Sequence, residues 1–153
     1  LYGSNDDFDI QTSHFIPGLI NKLHNAKKKK LKEIEIFGSG KPRREILHVD
    51  DLSNAVHRIV LLLLKNNKKL NNIIKKYSFI NIGSGTDYTI KEYAQMLKKV
   101  INVDVKFKYN YTYPDGMKKK LLEISKIKSL GWKPKISFNA GILRTYNWYK
   151  KNV

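Results

Sequence analysis

The stretch that most limits what this chain can fold into runs from Glu35 to Asp51: Glu-Ile-Phe-Gly-Ser-Gly-Lys-Pro-Arg-Arg-Glu-Ile-Leu-His-Val-Asp-Asp. Ile34 to Phe37 closes a short alternating strand, begun at Glu33. Gly38 and Gly40 flank Ser39 in a turn whose residues tolerate positive φ. Lys41, Arg43 and Arg44 then put three cations within four residues. Glu45 to Val49 has the β-rich composition of a second strand, and Asp50-Asp51 offers carboxylates to cap a helix opening at Leu52. On spacing alone, a hairpin with a solvated basic loop is one reading, and the spacing does not decide it.

Composition narrows the class. A chain of 153 residues with 41% hydrophobic content can bury one core of ordinary domain size. There is no cysteine, which removes disulfides and thiolate metal sites. No metal site is expected. Leu1 to Asp7 is polar and turn-like, unlike a secretory leader. Ile59 to Leu64, the longest apolar run, is too short to cross a bilayer. These features read as a soluble, cytoplasmic protein without a membrane partner. The formal net charge of +17, from 30 Lys and Arg against 13 Asp and Glu, raises the question of a polyanion. The lysines lie in runs at 27–30, 65–76 and 118–120 with no nucleic-acid-binding pattern around them. They read as solvated positions, and no specific nucleic-acid partner is expected.

Taken in order, Phe15, Ile16, Leu19, Ile20 and Leu23 fall on one helical face, with Ser13 as N-cap and Pro17 in the first turn. Lys27 to Lys32 is expected to fray into a loop. His14 stands at the helix entrance, where an exposed capping-turn residue and a functional one are both open. Leu52, Ala55, Val56, Ile59, Val60 and Leu63 predict a helix with one buried stripe. Residues 65–76 read as a loop and Tyr77 to Ile82 as a strand ended by Gly83-Ser84-Gly85. Thr89-Ile90-Lys91-Glu92 is a capping box for a helix carrying Ile90, Tyr93, Ala94, Leu97 and Val100. Val103 to Tyr109 alternates as a strand, and Pro114-Asp115-Gly116 is a turn. Ser125 to Leu130 is a short helix stopped by Gly131. Ser137 caps a last helix with Phe138, Ile142, Leu143, Tyr146, Trp148 and Tyr149 as core candidates. His48, within the second strand, reads as a satisfied structural histidine, and Arg43 as solvated. Strands and helices alternate throughout, so the fold class is α/β.

Several motifs together resemble one family. Phe37-Gly38-Ser39-Gly40, Arg44-Glu45 and Leu47-His48-Val49-Asp50-Asp51 resemble the C-terminal part of extended short-chain dehydrogenases/reductases acting on nucleotide sugars. Ser13-His14-Phe15-Ile16-Pro17, Asn81-Ile82-Gly83-Ser84-Gly85 and Pro114-Asp115-Gly116 through Lys120-Leu121-Leu122-Glu123 extend the match over nearly the whole chain. Within the family, the NAD-dependent epimerases/dehydratases, this variant looks most like the GDP-L-fucose synthases.

The resemblance implies residues 1–153 are a C-terminal substrate-binding portion, with residues 45–60 and 77–85 packing on a Rossmann-type cofactor domain that is absent. Leu1-Tyr2-Gly3 also opens as though a strand had just ended, and neither glycine turn has the spacing of a pyrophosphate loop. The implied activity is NADP(H)-dependent double epimerisation and keto reduction of GDP-4-keto-6-deoxy-D-mannose to GDP-L-fucose. The piece alone would be inactive, and a homodimer would form through the missing half. By the same resemblance His14 is the catalytic acid/base. Leu1 and His14 border the cofactor, and Lys22, Phe37, Arg44, Asp115 and Lys120 bind the substrate. Phe37 stands where many members carry Trp, and Glu123 where they carry Asp. The alternatives are another sugar-nucleotide epimerase/dehydratase and a non-catalytic, basic, polyanion-binding domain.

Overall fold

The computed structural model describes residues 1–153. Its larger core forms around helix α1 (Phe15–Lys29) and strand β1 (Glu33–Phe37). Ile16, Leu19, Ile20, Leu23 and Ala26 recur at helical spacing and are all buried, each worth about 1.5–3 kcal/mol of transfer free energy for the larger side chains. Pro17 falls in the first turn, where no intrahelical N–H is needed. The N-cap position is taken by His14, not Ser13, and His14 makes no side-chain capping bond. Ser13 instead donates its N–H to the Asp9 carbonyl at 2.9 Å. The lysine run does not fray: α1 continues to Lys29 and closes on left-handed Lys30, and Lys27 Nζ donates to the Ile101 carbonyl at 2.8 Å.

After β1 the chain turns through Gly38 and Gly40, both at positive φ, into β2 (Arg43–Glu45). The hairpin reading fails here, because the two strands join different sheets. β1 pairs in parallel with β4 (Lys106–Asn110), Ile34 opposite Phe107 and Ile36 opposite Tyr109. β2 lies between antiparallel β3 (Asp87–Thr89) and parallel β5 (Lys119–Lys120). A glycine at position 40 is required doubly, since its φ is +73° and a Cβ would press on the Tyr109 ring.

The second strand is shorter than its composition suggests. His48 leaves the ladder to N-cap α2 (Val49–Leu64), accepting from the Asp50 N–H, so the helix begins three residues before Leu52. Asp51 is buried and accepts from the Lys135 and Ile136 N–H groups at 3.0 and 2.9 Å. The expected buried stripe of α2 is mostly open: Ala55 is enclosed, but Val56, Val60 and Leu63 stand 48%, 44% and 47% exposed. Only the Ala55 side meets other elements, and nothing in the chain covers the rest.

Residues 65–76, expected as a loop, contain helix α3 (Lys68–Tyr77), with Asn67 capping the Leu70 N–H and Leu70 fully buried. Tyr77 to Ile82 forms no strand, because no neighbouring strand offers it a ladder. α4 (Ile90–Ile101) opens with the expected Thr89/Glu92 capping box and buries Tyr93, Ala94, Leu97 and Ile101 against α1 and α6 (Phe138–Asn152). α5 (Ser125–Ser129) stops before Gly131 at φ +79°. Ser137 caps α6, which buries Ile142, Tyr146 and Tyr149 but leaves Leu143 49% exposed, contrary to its expected core place. The architecture is α/β. No helix is long and apolar enough to cross a membrane.

Candidate functional site

The segment before α1 is pinned by Phe8, buried between Trp148 and Tyr149, and by Asn21 donating to the Phe8 carbonyl at 2.7 Å. That anchoring fixes where α1 begins and sets His14 at the rim of a cleft of about 380 Å³. One side of the cleft is the first two turns of α1, contributing Gly18, Leu19 and Lys22. The end of β1 and the following turn give the opposite side, with Phe37, Gly40, Pro42 and Arg44. Ile90 closes the back, and Pro114-Asp115 overhangs the mouth.

Lys22 reaches across the cleft floor. Its Nζ donates to the Glu35 carbonyl at 3.1 Å and lies 4.3 Å from the centre of the Phe37 ring. Desolvation holds its pKa below the ordinary lysine value. Phe37 is half exposed and stacks on Tyr113, with centroids 4.0 Å apart and planes 22° from parallel. Arg44 uses Nη1 twice, donating to the Arg43 carbonyl at 2.8 Å and the Met117 carbonyl at 2.7 Å. Neither Lys22 nor Arg44 has a carboxylate within ion-pairing distance. Two cations therefore face one concave surface with their charge uncompensated.

Asp115 accepts from the Ser39 N–H and hydroxyl, both at 2.6 Å, and these bonds hold its carboxyl below the usual carboxylate range. The overhang is thereby clasped to the Gly38-Gly40 turn. The structure brings together His14, Lys22, Phe37, Arg44 and Asp115. It does not bring Lys120 or Leu1 to them: Lys120 is exposed on β5 with its Cα opposite that of Arg44, and Leu1 is 61% exposed away from the cleft. Arg43 is not merely solvated. It pairs with Asp87 at 3.0 Å and Glu92 at 3.7 Å, holding β2 to β3 and the start of α4. His48 is structural, but only half satisfied, since its Nε2 is buried without a partner.

Sequence reasoning missed three residues that shape this region. Glu45 accepts from the Gly85 N–H at 2.5 Å and the Leu122 N–H at 2.8 Å, joining segments far apart in sequence. Ser39 and Tyr113 were hidden in the same way, their partners lying 76 residues away along the chain. The one available signal was an aromatic just before a Pro-Asp-Gly turn. No group of three or more potential metal ligands occurs.

The α/β frame thus carries one concave cleft lined by two unpaired cations and an aromatic ring. Residues 1–75 match the model of the NAD dependent epimerase/dehydratase family. Over all 153 residues it is 42% identical to GDP-L-fucose synthase 1 of Arabidopsis thaliana, covering 44% of that protein. Two solved structures from Campylobacter jejuni are similar. A GDP-6-OMe-4-keto-L-xylo-heptose reductase superposes with a TM-score of 0.82 at 34% identity, over 99% of this chain and 52% of that one. A GDP-mannoheptose C4 reductase with NADP bound gives 0.76 at 33%, over 97% and 50%. The chain spans less than half the length of the curated relatives it matches.

Proposed function

We propose that this chain is the C-terminal substrate-binding lobe of an extended short-chain dehydrogenase/reductase, and that the whole enzyme is an NADP(H)-dependent GDP-L-fucose synthase. The observation that carries the reading is the cleft itself, where His14, Lys22, Phe37, Arg44 and Asp115 converge although up to 101 positions separate them. The uncovered stripe of α2 and the unladdered backbone of residues 78–85 support packing of residues 45–60 and 77–85 on a cofactor domain. The homodimer contacts are assigned to that other half.

A GDP-linked keto-sugar presents two phosphates, a planar base and a ketone. Lys22 and Arg44 take the phosphates, Arg44 with the N–H groups its two carbonyl partners leave free. The ketone acidifies the protons on both flanking carbons, because the resulting enolate places its charge on oxygen. His14, at the mouth and free of any capping bond, exchanges those protons, a contribution of about 10²–10⁴-fold. Its N-cap position on a helix anchored through Phe8 sets its backbone at the cleft mouth.

The residues present do not cradle a dinucleotide pyrophosphate. Ser39 N–H is taken by Asp115 and Gly85 N–H by Glu45, and neither glycine turn has the three-glycine spacing of a pyrophosphate loop. The phosphates of NADP(H) belong on the other half, and this chain borders the cofactor at Leu1 and His14. When bound there, NADPH supplies the hydride that reduces the ketone.

The test uses the full-length enzyme with GDP-4-keto-6-deoxy-D-mannose and NADPH in deuterated water. NADPH is consumed, GDP-L-fucose forms, and deuterium enters both carbons flanking the ketone. His14→Asn retains GDP-sugar binding and slows deuterium entry by about 10²-fold or more. Deuterium entry at the wild-type rate in that variant overturns the role of His14. A second reading, favoured by the likeness to the two Campylobacter jejuni reductases, is keto reduction without epimerisation. It is the outcome if NADPH is consumed and no deuterium enters.

A further inference from the structure

Phe37 has no free face. Tyr113 is stacked on it at 4.0 Å, which leaves no room for an ammonium on the same side, so the Lys22 Nζ at 4.3 Å takes the other. A planar base cannot lie on Phe37 unless one of the two moves. Lys22 is fixed by its bond to the Glu35 carbonyl. Tyr113 is 45% exposed and turns its outer face to solvent beside the overhang.

We propose that Tyr113, with Phe37 as its backing, is the ring on which the base of the nucleotide stacks. The proposal rests on the reading of the cleft as a nucleotide-sugar site and names the residue that holds the base there.

Tyr113 sits on a strap between β4 and β5 that is tied on both sides of it. Upstream, the Asn110 side chain accepts from the Thr112 N–H at 3.0 Å and its hydroxyl at 2.6 Å. Downstream, Asp115 clasps Ser39, and Arg44 holds the Met117 carbonyl. A ring carried on a strap tied at both ends is ordered before ligand arrives, and stacking then loses little conformational entropy. Arg44 belongs to the same arrangement: the residue that takes a phosphate also fixes the strap whose ring takes the base. A bound nucleoside diphosphate thus touches the ring on the strap and the β2 arginine that holds the strap. Stacking is tolerant of base identity, because every base has a π-face, so a purine with its larger surface gains most.

The experiment titrates GDP and inorganic pyrophosphate into the full-length wild type and into Tyr113→Ala, Tyr113→Leu, Tyr113→Phe and Arg44→Met. Tyr113→Ala and Tyr113→Leu are expected to weaken GDP roughly tenfold or more and leave pyrophosphate unchanged, while Tyr113→Phe binds as wild type. Arg44→Met weakens both ligands. The leucine variant keeps bulk on the strap, so a loss shared by Ala and Leu but not Phe reports the ring and not the fold. Wild-type GDP affinity in both Ala and Leu variants, with Arg44→Met still impaired, overturns the role of Tyr113 and leaves the site standing. Tighter GDP binding in Tyr113→Ala overturns it too, and makes the tyrosine a cover that the base displaces from Phe37. Failure of the wild type to bind GDP removes the site and the proposal together.

Discussion

The two hydrophobic clusters of this molecule each rest on a helix of similar length, α1 with 15 residues and α2 with 16, and end up in opposite conditions. The larger, sixteen buried residues from α1, β1, α4, α6 and their neighbours, encloses its helices on the faces that their apolar residues mark. The smaller, seven buried residues around Ala55, Leu70 and Trp132, covers one side of α2 and leaves Val56, Val60, Leu63 and Leu64 open. Yet α2 is the most apolar helix of the chain. Periodicity states which face of a helix avoids water; it does not state what covers that face. In the first cluster the cover lies within the 153 residues. In the second, none of the 153 residues supplies it, and the proposed cofactor domain is the cover to test.

The largest effect that bears on this contrast is a truncation in the first cluster. Leu97 is fully buried, and Leu97→Ala is expected to cost about 2–5 kcal/mol in denaturant unfolding. Leu63→Ala should cost less than about 0.5 kcal/mol in the 153-residue chain, where its side chain already meets water. In the full-length enzyme the Leu63 cost rises toward the range of a buried leucine. If it stays small there, the α2 stripe is not a contact between domains.

The same contrast explains what could be seen in the sequence. α1, β1, α4 and α6 were legible because their apolar spacing, the Thr89/Glu92 capping box and the Ser137 cap are all local signals that the fold then satisfies locally. α3 was missed because lysine and asparagine dominate its composition, although Leu70, Ile73, Ile74 and Tyr77 keep the helical interval and Asn67 marks its start. The strand at Tyr77 to Ile82 was called for by composition, but a strand exists only with a partner. In the cleft, His14 from Ser13-His14-Phe15-Ile16-Pro17 and Arg44 from Arg44-Glu45 line one surface. The ties of Ser39 to Asp115, Arg44 to Met117 and Phe37 to Tyr113 were not legible, because they join residues more than seventy positions apart by geometry that no local pattern encodes.

Polar anchoring separates the clusters further. Asp51, beside the smaller one, accepts from two backbone N–H groups of the segment leading into α6. Asp51→Asn keeps the size, removes one acceptor and turns an amide N–H₂ toward a backbone donor, at an expected cost of about 1–3 kcal/mol. Thr145, buried in α6 against the larger cluster, only donates to the Gly141 carbonyl, which belongs to its own helix. Thr145→Val is therefore expected to stay below about 1 kcal/mol. Equal costs, measured as shifts in urea midpoint, would mean that the smaller cluster does not depend on its carboxylate.

The smallest effect lies where the clusters meet. His48 packs edge-on to Tyr2 of the larger cluster, with ring centroids 5.1 Å apart, and directly follows Leu47 of the smaller. Burial lowers its pKa, Asp50 and Asp51 oppose that shift, and Arg144 on α6 adds to it. Because the folded pKa is depressed, the unfolded chain takes up this proton first as the pH falls. The stability is fully present above the ordinary histidine value and is lost on acidification through the folded value. His48→Asn keeps an acceptor for the Asp50 N–H and removes the titration. Between about pH 7.5 and pH 5.5 the wild type should lose urea resistance relative to this variant. His24, whose pKa is also lowered by burial, contributes equally to both proteins and cancels in the difference. The opposite sign, wild type gaining on acidification, would show that the Asp50 carboxylate 3.6 Å from Nδ1 outweighs burial and that the junction between the clusters is held by an ion pair.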